Sequence, residues 1–156
     1  MSKLVQKKLL TLCLLCENSH VLLGMKKRGF GEGRWNGFGG KVEIDETIEE
    51  GAHREFLEEA GITVGPLNAQ GILEFEFEGN PEILEVHVFK ATQYTGQPVE
   101  TEEMKPQWFE ISKIPFDKMW PDDVFWFPIF FEGKKFTGKF YFNANEELIS
   151  HDIKTL

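Results

Sequence analysis

The chain has 156 residues, a formal net charge of −9 and a hydrophobic fraction of 41%. This length is typical of one domain, and we expect residues 1–156 to form it. The negative charge argues against nucleic acid as a partner, because sequence-independent binding needs a basic surface. No segment reaches the ~18 apolar residues of a membrane span, and residues 1–8 lack the apolar stretch of a secretion signal. We therefore predict a soluble cytoplasmic protein that functions as a monomer.

Residues 9–16 and 21–27 are predicted to form a β-hairpin around a turn-like Glu-Asn-Ser-His segment. The first strand contains Cys13 and Cys16, a spacing that also occurs in zinc and redox sites. Residues three apart on a strand point to opposite faces, and no second cysteine pair is present. We expect two reduced cysteines that pack in the interior.

A glycine-rich loop over residues 29–40 follows, with six glycines in twelve positions. Residues 47–60 are predicted to be a helix, because Thr47 and Glu50 form a capping box and Gly61 suits the C-terminal cap.

Later in the chain, alternation and apolar runs predict strands over 73–78, 83–91, 107–110, 135–143 and 147–153. A second helix is predicted from Asp122 or Asp123 to Phe130. Strands interleaved with two separated helices indicate an α+β fold of the α/β/α-sandwich type, a mixed β-sheet flanked by helices.

Three glutamates, Glu55, Glu58 and Glu59, share one side of the first predicted helix. At ~100° per residue, Glu59 lies about 40° to one side of Glu55 and Glu58 about 60° to the other. Like charges at these spacings destabilise a helix unless a cation compensates them. Carboxylate oxygens suit a hard ion, Mg²⁺ or Mn²⁺. The alternative is a solvated acidic face, which is the usual role of a charge run.

These glutamates belong to a motif of twenty-three residues. Its fixed positions are occupied by Gly40, Glu46, Arg54, Glu55, Phe56, Glu58, Glu59, Gly61 and Ile62. The chain therefore resembles the Nudix hydrolase family, whose box over residues 40–62 reads Gly-x5-Glu-x7-Arg-Glu-U-x-Glu-Glu-x-Gly-U, with U a bulky apolar residue. Phe56 departs mildly from the family pattern, because an aliphatic residue is more usual there.

The resemblance implies an enzyme that cleaves the diphosphate linkage of a small nucleotide with Mg²⁺. The cations would be held by Glu55, Glu58, Glu59 and the carbonyl of Gly39. Arg54 would pair with and orient these carboxylates. The general base in this family is either a box glutamate or an acid on another loop. Glu103 is the loop candidate, also as a metal ligand, and a merely solvated acid is the alternative.

Trp120-Pro121-Asp122-Asp123 places two carboxylates beside a large aromatic ring. Asp122 or Asp123 either caps the following helix or points into an aromatic pocket. In such a pocket one carboxyl would hold a proton, and the pair would offer a donor and an acceptor to a purine edge. Asn36 offers an amide with the same versatility.

Motifs along nearly the whole chain resemble the MutT-related branch of the family that hydrolyses oxidised purine nucleoside triphosphates. This implies conversion of substrates such as 8-oxo-dGTP and 2-hydroxy-dATP to the monophosphate and pyrophosphate. The nucleotide would be bound by Thr11, Lys26, Asn36, Phe38, Gly39, Gly40, Lys41, Phe75, Trp120, Pro121, Asp122 and Asp123. Leu84 stands where a methionine is expected, which bears on how substrates are ranked. The mitochondrial matrix or nucleus is a further location that the resemblance implies.

Two other functions remain open from the sequence. A related enzyme could act on nucleoside diphosphate sugars, dinucleoside polyphosphates or methylated purine triphosphates. A non-catalytic nucleotide-binding module is the other alternative, although such modules usually lack box acids that are present here.

Overall fold

The computed structural model describes residues 6–156, so residues 1–5 of the N-terminal segment that lacks an apolar stretch lie outside the described residues. The strands of the large sheet are β1 (Gln6–Glu17), β2 (His20–Lys26), β3 (Trp35–Asn36), β5 (Asn68–Phe77), β6 (Glu82–Ala91), β8 (Met104–Glu110), β9 (Phe136–Phe142) and β10 (Leu148–Thr155). A two-stranded sheet consists of β4 (Thr63–Val64) and β7 (Tyr94–Thr95). The helices are α1 (Ile48–Ala60) and α2 (Asp123–Phe131).

The large sheet is mixed, as predicted. Its order is β10-β9-β5-β6-β1-β2-β3, and β8 pairs with β2. The β1–β6 and β5–β9 pairs are parallel, and the other pairs are antiparallel. The strands predicted from the sequence are all present, with ends that differ by a few residues. The short strands β3, β4 and β7 were not predicted, because two residues are too few to show a period.

Local sequence explains both ends of α1. The Thr47 hydroxyl accepts a hydrogen bond from the Glu50 amide, and the Glu50 carboxylate accepts one from the Thr47 amide. Gly61 ends the helix with φ of +72°, a conformation that glycine adopts without steric cost. The predicted capping box and C-terminal cap are therefore confirmed.

Two apolar clusters lie on opposite faces of the large sheet, each under one helix. Leu14 belongs to the cluster that contains Trp126 of α2, while Cys13 and Leu15 belong to the cluster that contains Phe56 of α1. Cys16 packs against the α2-side cluster. Both cysteines are free and face opposite sides, as the strand period predicts.

In the part of the chain that the structure describes, neither helix has the length and apolarity required to cross a bilayer.

Candidate active site

Strands β1 and β2 separate after three residue pairs next to their turn, and residues 35–41 fill the gap between them. On one side, Trp35 and Asn36 pair with β2. On the other side, the Phe38 amide donates to the Cys13 carbonyl at 3.0 Å. The Gly-rich segment, residues 35–41, is therefore held between the two strands within the sheet.

The Gly39 amide points away from β1, whereas backbone groups of its two neighbours bond to β1. The carbonyls of Phe38 and Gly40 accept hydrogen bonds from the amides of Cys13 and Thr11. The Gly39 amide instead donates to the Glu59 Oε1 at 2.9 Å.

Close packing explains why glycine is present at positions 39 and 40. A Cβ at Gly39 would overlap the backbone carbonyl of Thr11. A Cβ at Gly40 would lie 2.7–2.8 Å from the carboxyl atoms of Glu55. Packing against β1 therefore requires glycine at position 39, and a side chain at position 40 would displace the Glu55 carboxyl group.

Arg54 connects the box residues to one another. Its guanidinium donates to Glu46 at 2.7 and 3.0 Å, to Glu55 at 2.9 Å and to Glu58 at 3.2 Å. It also donates to the Lys41 carbonyl at 3.0 Å. The pairing with Arg54 lowers the pKa of Glu46 to about 2 and raises the pKa of Arg54 itself.

The three helix glutamates have different environments. Glu59 is buried, and burial raises its pKa to about 8 despite the Gly39 amide and Lys26. Burial also raises the pKa of Glu55, against the effect of Arg54. Glu58 is the exposed member, with 56% of its side chain accessible.

Within residues 6–156, no three acidic, histidine or cysteine side chains are close enough together to form a metal centre by themselves. Glu55 and Glu58 turn toward Arg54, and Glu59 turns toward the Gly39 amide. The predicted sharing of one helix side is therefore correct, but the carboxylates are paired with protein cations and amides rather than converged on one point.

The predicted loop acid Glu103 lies on the opposite side of the same space. Arg28 Nε donates to Glu103 at 3.0 Å, and Lys26 Nζ lies 3.5 Å from Glu103 and 3.9 Å from Glu59. The hydrogen bond and charge of Arg28 lower the pKa of Glu103. Lys26 thus stands between an acid of α1 and an acid of the loop before β8.

Thr101 fixes that loop to α1. Its hydroxyl donates to the Glu59 carbonyl at 2.9 Å and accepts hydrogen bonds from the Glu103 and Met104 amides at 3.2 Å. All the bonding capacity of the hydroxyl is used. Thr101 could not be identified from the sequence, because no local pattern shows that residue 101 meets a helix that ends about forty residues earlier.

A cavity of about 530 Å³ extends from this acidic end to the aromatic residues near α2. Nine of the predicted nucleotide-binding residues line it: Thr11, Lys26, Asn36, Gly39, Gly40, Phe75, Trp120, Asp122 and Asp123. Glu59, Glu103 and Leu84 line it as well. Arg28, Arg34, Met104 and Phe142 were not identified from the sequence, yet they also line the cavity.

Three of the predicted nucleotide-binding residues do not line the cavity. Phe38 was predicted wrongly as far as its side chain is concerned, because the ring is fully buried and packs on Phe56 at 4.6 Å between centroids. Lys41 is exposed, and its carbonyl is taken by Arg54. Pro121 lies beside Trp120 in sequence but outside the cavity wall. In each case neighbouring residues of one segment point in different directions.

Trp120 forms one wall of the aromatic end. The centroid of its ring lies 4.9 Å from that of Phe30. The ring centroids of Phe77 and Phe142 lie 6.0 and 5.8 Å away, and both of these contacts are edge-on. The Arg34 guanidinium carbon lies 3.9 Å from the centre of the Trp120 ring. Such a ring can stack on a planar base.

Asp122 and Asp123 are both buried at the beginning of α2. Asp122 occupies the N-cap position, but its side chain makes no capping hydrogen bond and instead accepts one from Trp126 Nε1 at 2.9 Å. Asp123 Oδ2 receives no hydrogen bond from an amide or hydroxyl of the described residues. Burial raises the pKa of both carboxyls, and the charge of Asp122 raises that of Asp123 further. The pocket interpretation therefore holds, and the capping interpretation of Asp122 does not.

Several known proteins are similar to this chain over most of its length. The NUDIX domain profile matches residues 7–129. The chain is 53% identical over 146 residues to the oxidized purine nucleoside triphosphate hydrolase of Danio rerio and 52% identical over 147 residues to its Mus musculus namesake, with 94% of each chain covered. The crystal structure of a MutT protein from Bacillus halodurans has a TM-score of 0.85 and 29% identity, covering 94% of this chain and 97% of that one.

Proposed function

Because this chain belongs to the Nudix family, we propose that it hydrolyses oxidised purine nucleoside triphosphates, such as 8-oxo-dGTP and 2-hydroxy-dATP, to the monophosphate and pyrophosphate. The observation that carries the proposal is one continuous cavity with two different ends. Glu59 and the glycines occupy one end, and the buried Asp122–Asp123 pair beside Trp120 occupies the other. The names of the fish and mouse relatives support the same substrate class.

The acidic end fits a divalent cation. Glu59 is a desolvated carboxylate beside a backbone segment without side chains, and Glu55 lies against Gly40. We propose Mg²⁺, with Mn²⁺ as a substitute, held by Glu55, Glu58, Glu59 and the Gly39 carbonyl, with Glu103 able to contribute. When bound, such an ion polarises a phosphoryl oxygen and lowers the pKa of an attacking water.

The protein groups around that position supply orientation and charge. Arg54 keeps Glu55 and Glu58 on the side of α1 that faces the Gly-rich segment. Lys26, on the cavity wall, presents its ammonium group to the triphosphate and offsets the negative charge of Glu59 and Glu103. Glu59 and Glu103 are the two candidates for the general base, and both line the cavity.

The aromatic end recognises the base. With a proton shared between them, Asp122 and Asp123 present one hydroxyl donor and carboxylate acceptors to a purine edge. Trp120 provides a stacking surface, and Asn36 provides an amide on the same cavity. Exchange of the shared proton would let the pair accept more than one oxidised purine, since the donor and acceptor positions would be reversed.

Rates of pyrophosphate release in the presence of Mg²⁺ test this function. The substrates are dGTP, 8-oxo-dGTP, dATP, 2-hydroxy-dATP and a methylated dGTP. ADP-ribose and a dinucleoside polyphosphate represent the alternative Nudix reactions, and their hydrolysis is followed by the nucleotides formed, because neither releases pyrophosphate. We expect the highest kcat/KM for the oxidised purines. Equal turnover of dGTP and 8-oxo-dGTP would contradict the substrate proposal, and absence of hydrolysis of every one of these compounds would favour a binding module. Monomeric state and location in the cytoplasm, mitochondrial matrix or nucleus stay predictions.

A further inference from the structure

Arg34 occupies an unusual position for a cation, within the wall of the aromatic end of the cavity. It immediately precedes β3, and its guanidinium carbon lies 3.9 Å from the centre of the Trp120 ring. The positive charge of a guanidinium is attracted to the negative face of an indole, and its planar shape packs flat against it. Arg34 therefore restrains the ring on which a base is proposed to stack.

A second residue restrains Arg34. Arg34 Nη1 donates to Glu146 Oε1 at 3.0 Å, although the two residues are 112 positions apart in the chain. Glu146 lies in the turn between β9 and β10. The exposed fractions of the two side chains, 27% for Arg34 and 39% for Glu146, place the pair at the cavity rim rather than in free solvent.

The turn that carries Glu146 has a strained backbone. Glu146 has φ of +62°, a left-handed conformation that side chains other than glycine, asparagine and aspartate rarely adopt. Asn143 fastens the turn, since its Oδ1 accepts hydrogen bonds from the Asn145 and Glu147 amides, both at 2.9 Å. A glutamate kept in this conformation suggests a contact that outweighs the strain, and the ion pair with Arg34 is that contact.

Arg34 also acts on the acid pair. Its positive charge lowers the pKa of both Asp122 and Asp123, against the larger effect of burial. One side chain therefore contacts the proposed stacking ring and influences the proposed hydrogen-bonding carboxyls, which are the two parts of base recognition.

We propose that Arg34 is a positioning residue for base selection: anchored by Glu146, it holds the Trp120 ring in the orientation that discriminates oxidised from normal purines. This inference rests on the proposed function, because it assigns a determinant of selectivity within the same cavity. The phosphate end is not involved, so the turnover of bound substrate should be spared.

The experiment measures kcat and KM for 8-oxo-dGTP and dGTP with Arg34→Met, Glu146→Gln and the double variant. For Arg34→Met we expect KM for 8-oxo-dGTP to rise about tenfold, the scale of a lost desolvated cation–π contact, with kcat nearly unchanged. The preference for 8-oxo-dGTP over dGTP should fall in parallel. Glu146→Gln should give a smaller change of the same kind, and the double variant should be no worse than Arg34→Met.

Two further variants separate positioning from stability. Glu146→Gly removes the carboxylate but suits the positive φ, so thermal stability should hold while selectivity falls. Lys134→Met, which breaks the exposed ion pair between Lys134 and Glu132, is the control and should change neither quantity.

The outcomes distinguish the two proposals. A wild-type protein that prefers 8-oxo-dGTP, with Arg34→Met and Glu146→Gly retaining that preference, overturns the role of Arg34 and leaves the proposed function standing. A uniform loss of activity toward both substrates with a lowered melting temperature also overturns it, because it indicates a structural role. A wild-type protein without preference overturns both.

Discussion

The two ends of the cavity are built in different ways. The acidic end comes mainly from one continuous stretch, residues 39–59, in which α1 lies against the Gly-rich segment. The aromatic end is assembled from distant parts of the chain: Arg34 precedes β3, Phe75 lies on β5, Trp120 precedes α2 and Phe142 ends β9. The contrast shows that one cavity can combine a locally encoded reaction site with a recognition site that exists only in the folded sheet.

The electrostatics of the two ends differ as well. At the acidic end, carboxylates pair with Arg54, Lys26 or Arg28, so protein cations offset their charge even where burial raises the pKa, as it does for Glu55 and Glu59. At the aromatic end, Asp122 and Asp123 are buried beside rings, and their pKa values rise because the charged form is desolvated. We therefore expect changes at the acidic end to lower kcat, and changes at the aromatic end to raise KM or alter pH dependence.

The largest effect should come from Glu59→Gln, which removes a carboxylate from the acidic end. We expect kcat to fall by about a hundredfold or more, the scale observed when a group that stabilises transition-state charge is lost. Pyrophosphate release at saturating 8-oxo-dGTP measures it. Glu49→Gln is the matched control, because Glu49 is exposed on the same helix and lies outside the cavity. A Glu59→Gln protein that keeps kcat and raises only KM would contradict the proposal that the acidic end carries out the reaction while the aromatic end binds the base.

An intermediate effect should come from Thr101→Val, which replaces the hydroxyl by a methyl group of similar size. The Glu103 and Met104 amides and the Glu59 carbonyl would each lose a partner, at a cost of about 1–3 kcal/mol for a buried unsatisfied group. Because Thr101 links the Glu103 loop to α1, we expect kcat to fall about tenfold, a change of about 1.4 kcal/mol. Thr101→Ser retains the hydroxyl and should keep kcat near the wild-type value. A serine variant with the same loss of kcat as the valine variant would argue against a role for the Thr101 hydrogen bonds.

The smallest effect should come from Asp123→Asn, which mimics the protonated carboxyl at the aromatic end. The folded pKa of Asp123 is raised above its ordinary value of 3.8. The contribution of this proton to the free energy of unfolding of the wild-type protein is therefore fully present below pH 3.8. It is lost as the pH rises through the raised pKa of the folded protein. Asparagine does not titrate, so the melting temperature of the variant should rise relative to that of the wild type as the pH increases.

Melting temperatures between pH 4 and pH 9 measure this difference, and each kcal/mol should shift the midpoint by about 2–4 °C. Asp117→Asn, on the exposed turn Phe116–Lys118, is the control. A difference between wild type and Asp123→Asn that stays constant with pH would mean that Asp123 is ionised in the folded protein, and the electrostatic contrast between the ends would then be wrong.

Much of the fold could be predicted because its signals are local. The capping box at Thr47 and the terminal Gly61 fix α1 through contacts within four residues. The same short spacing placed Glu55, Glu58 and Glu59 on one side of the helix. Of the groups that these glutamates contact, Arg54 could be anticipated because it belongs to the same helix. The Gly39 amide could not, because it lies on a separate segment.

The sequence by itself determined the helix that carries the acids, the alternation of the strands, the opposed cysteines and the family. Tertiary structure alone decided that Phe38 is in the core while Gly39 faces the cavity, that Thr101 meets α1, and that Glu146 reaches Arg34. The physical reason lies in the range of the contacts. Helical neighbours follow from a fixed rotation per residue, whereas partners across a sheet depend on strand order and register, which the burial of whole faces sets.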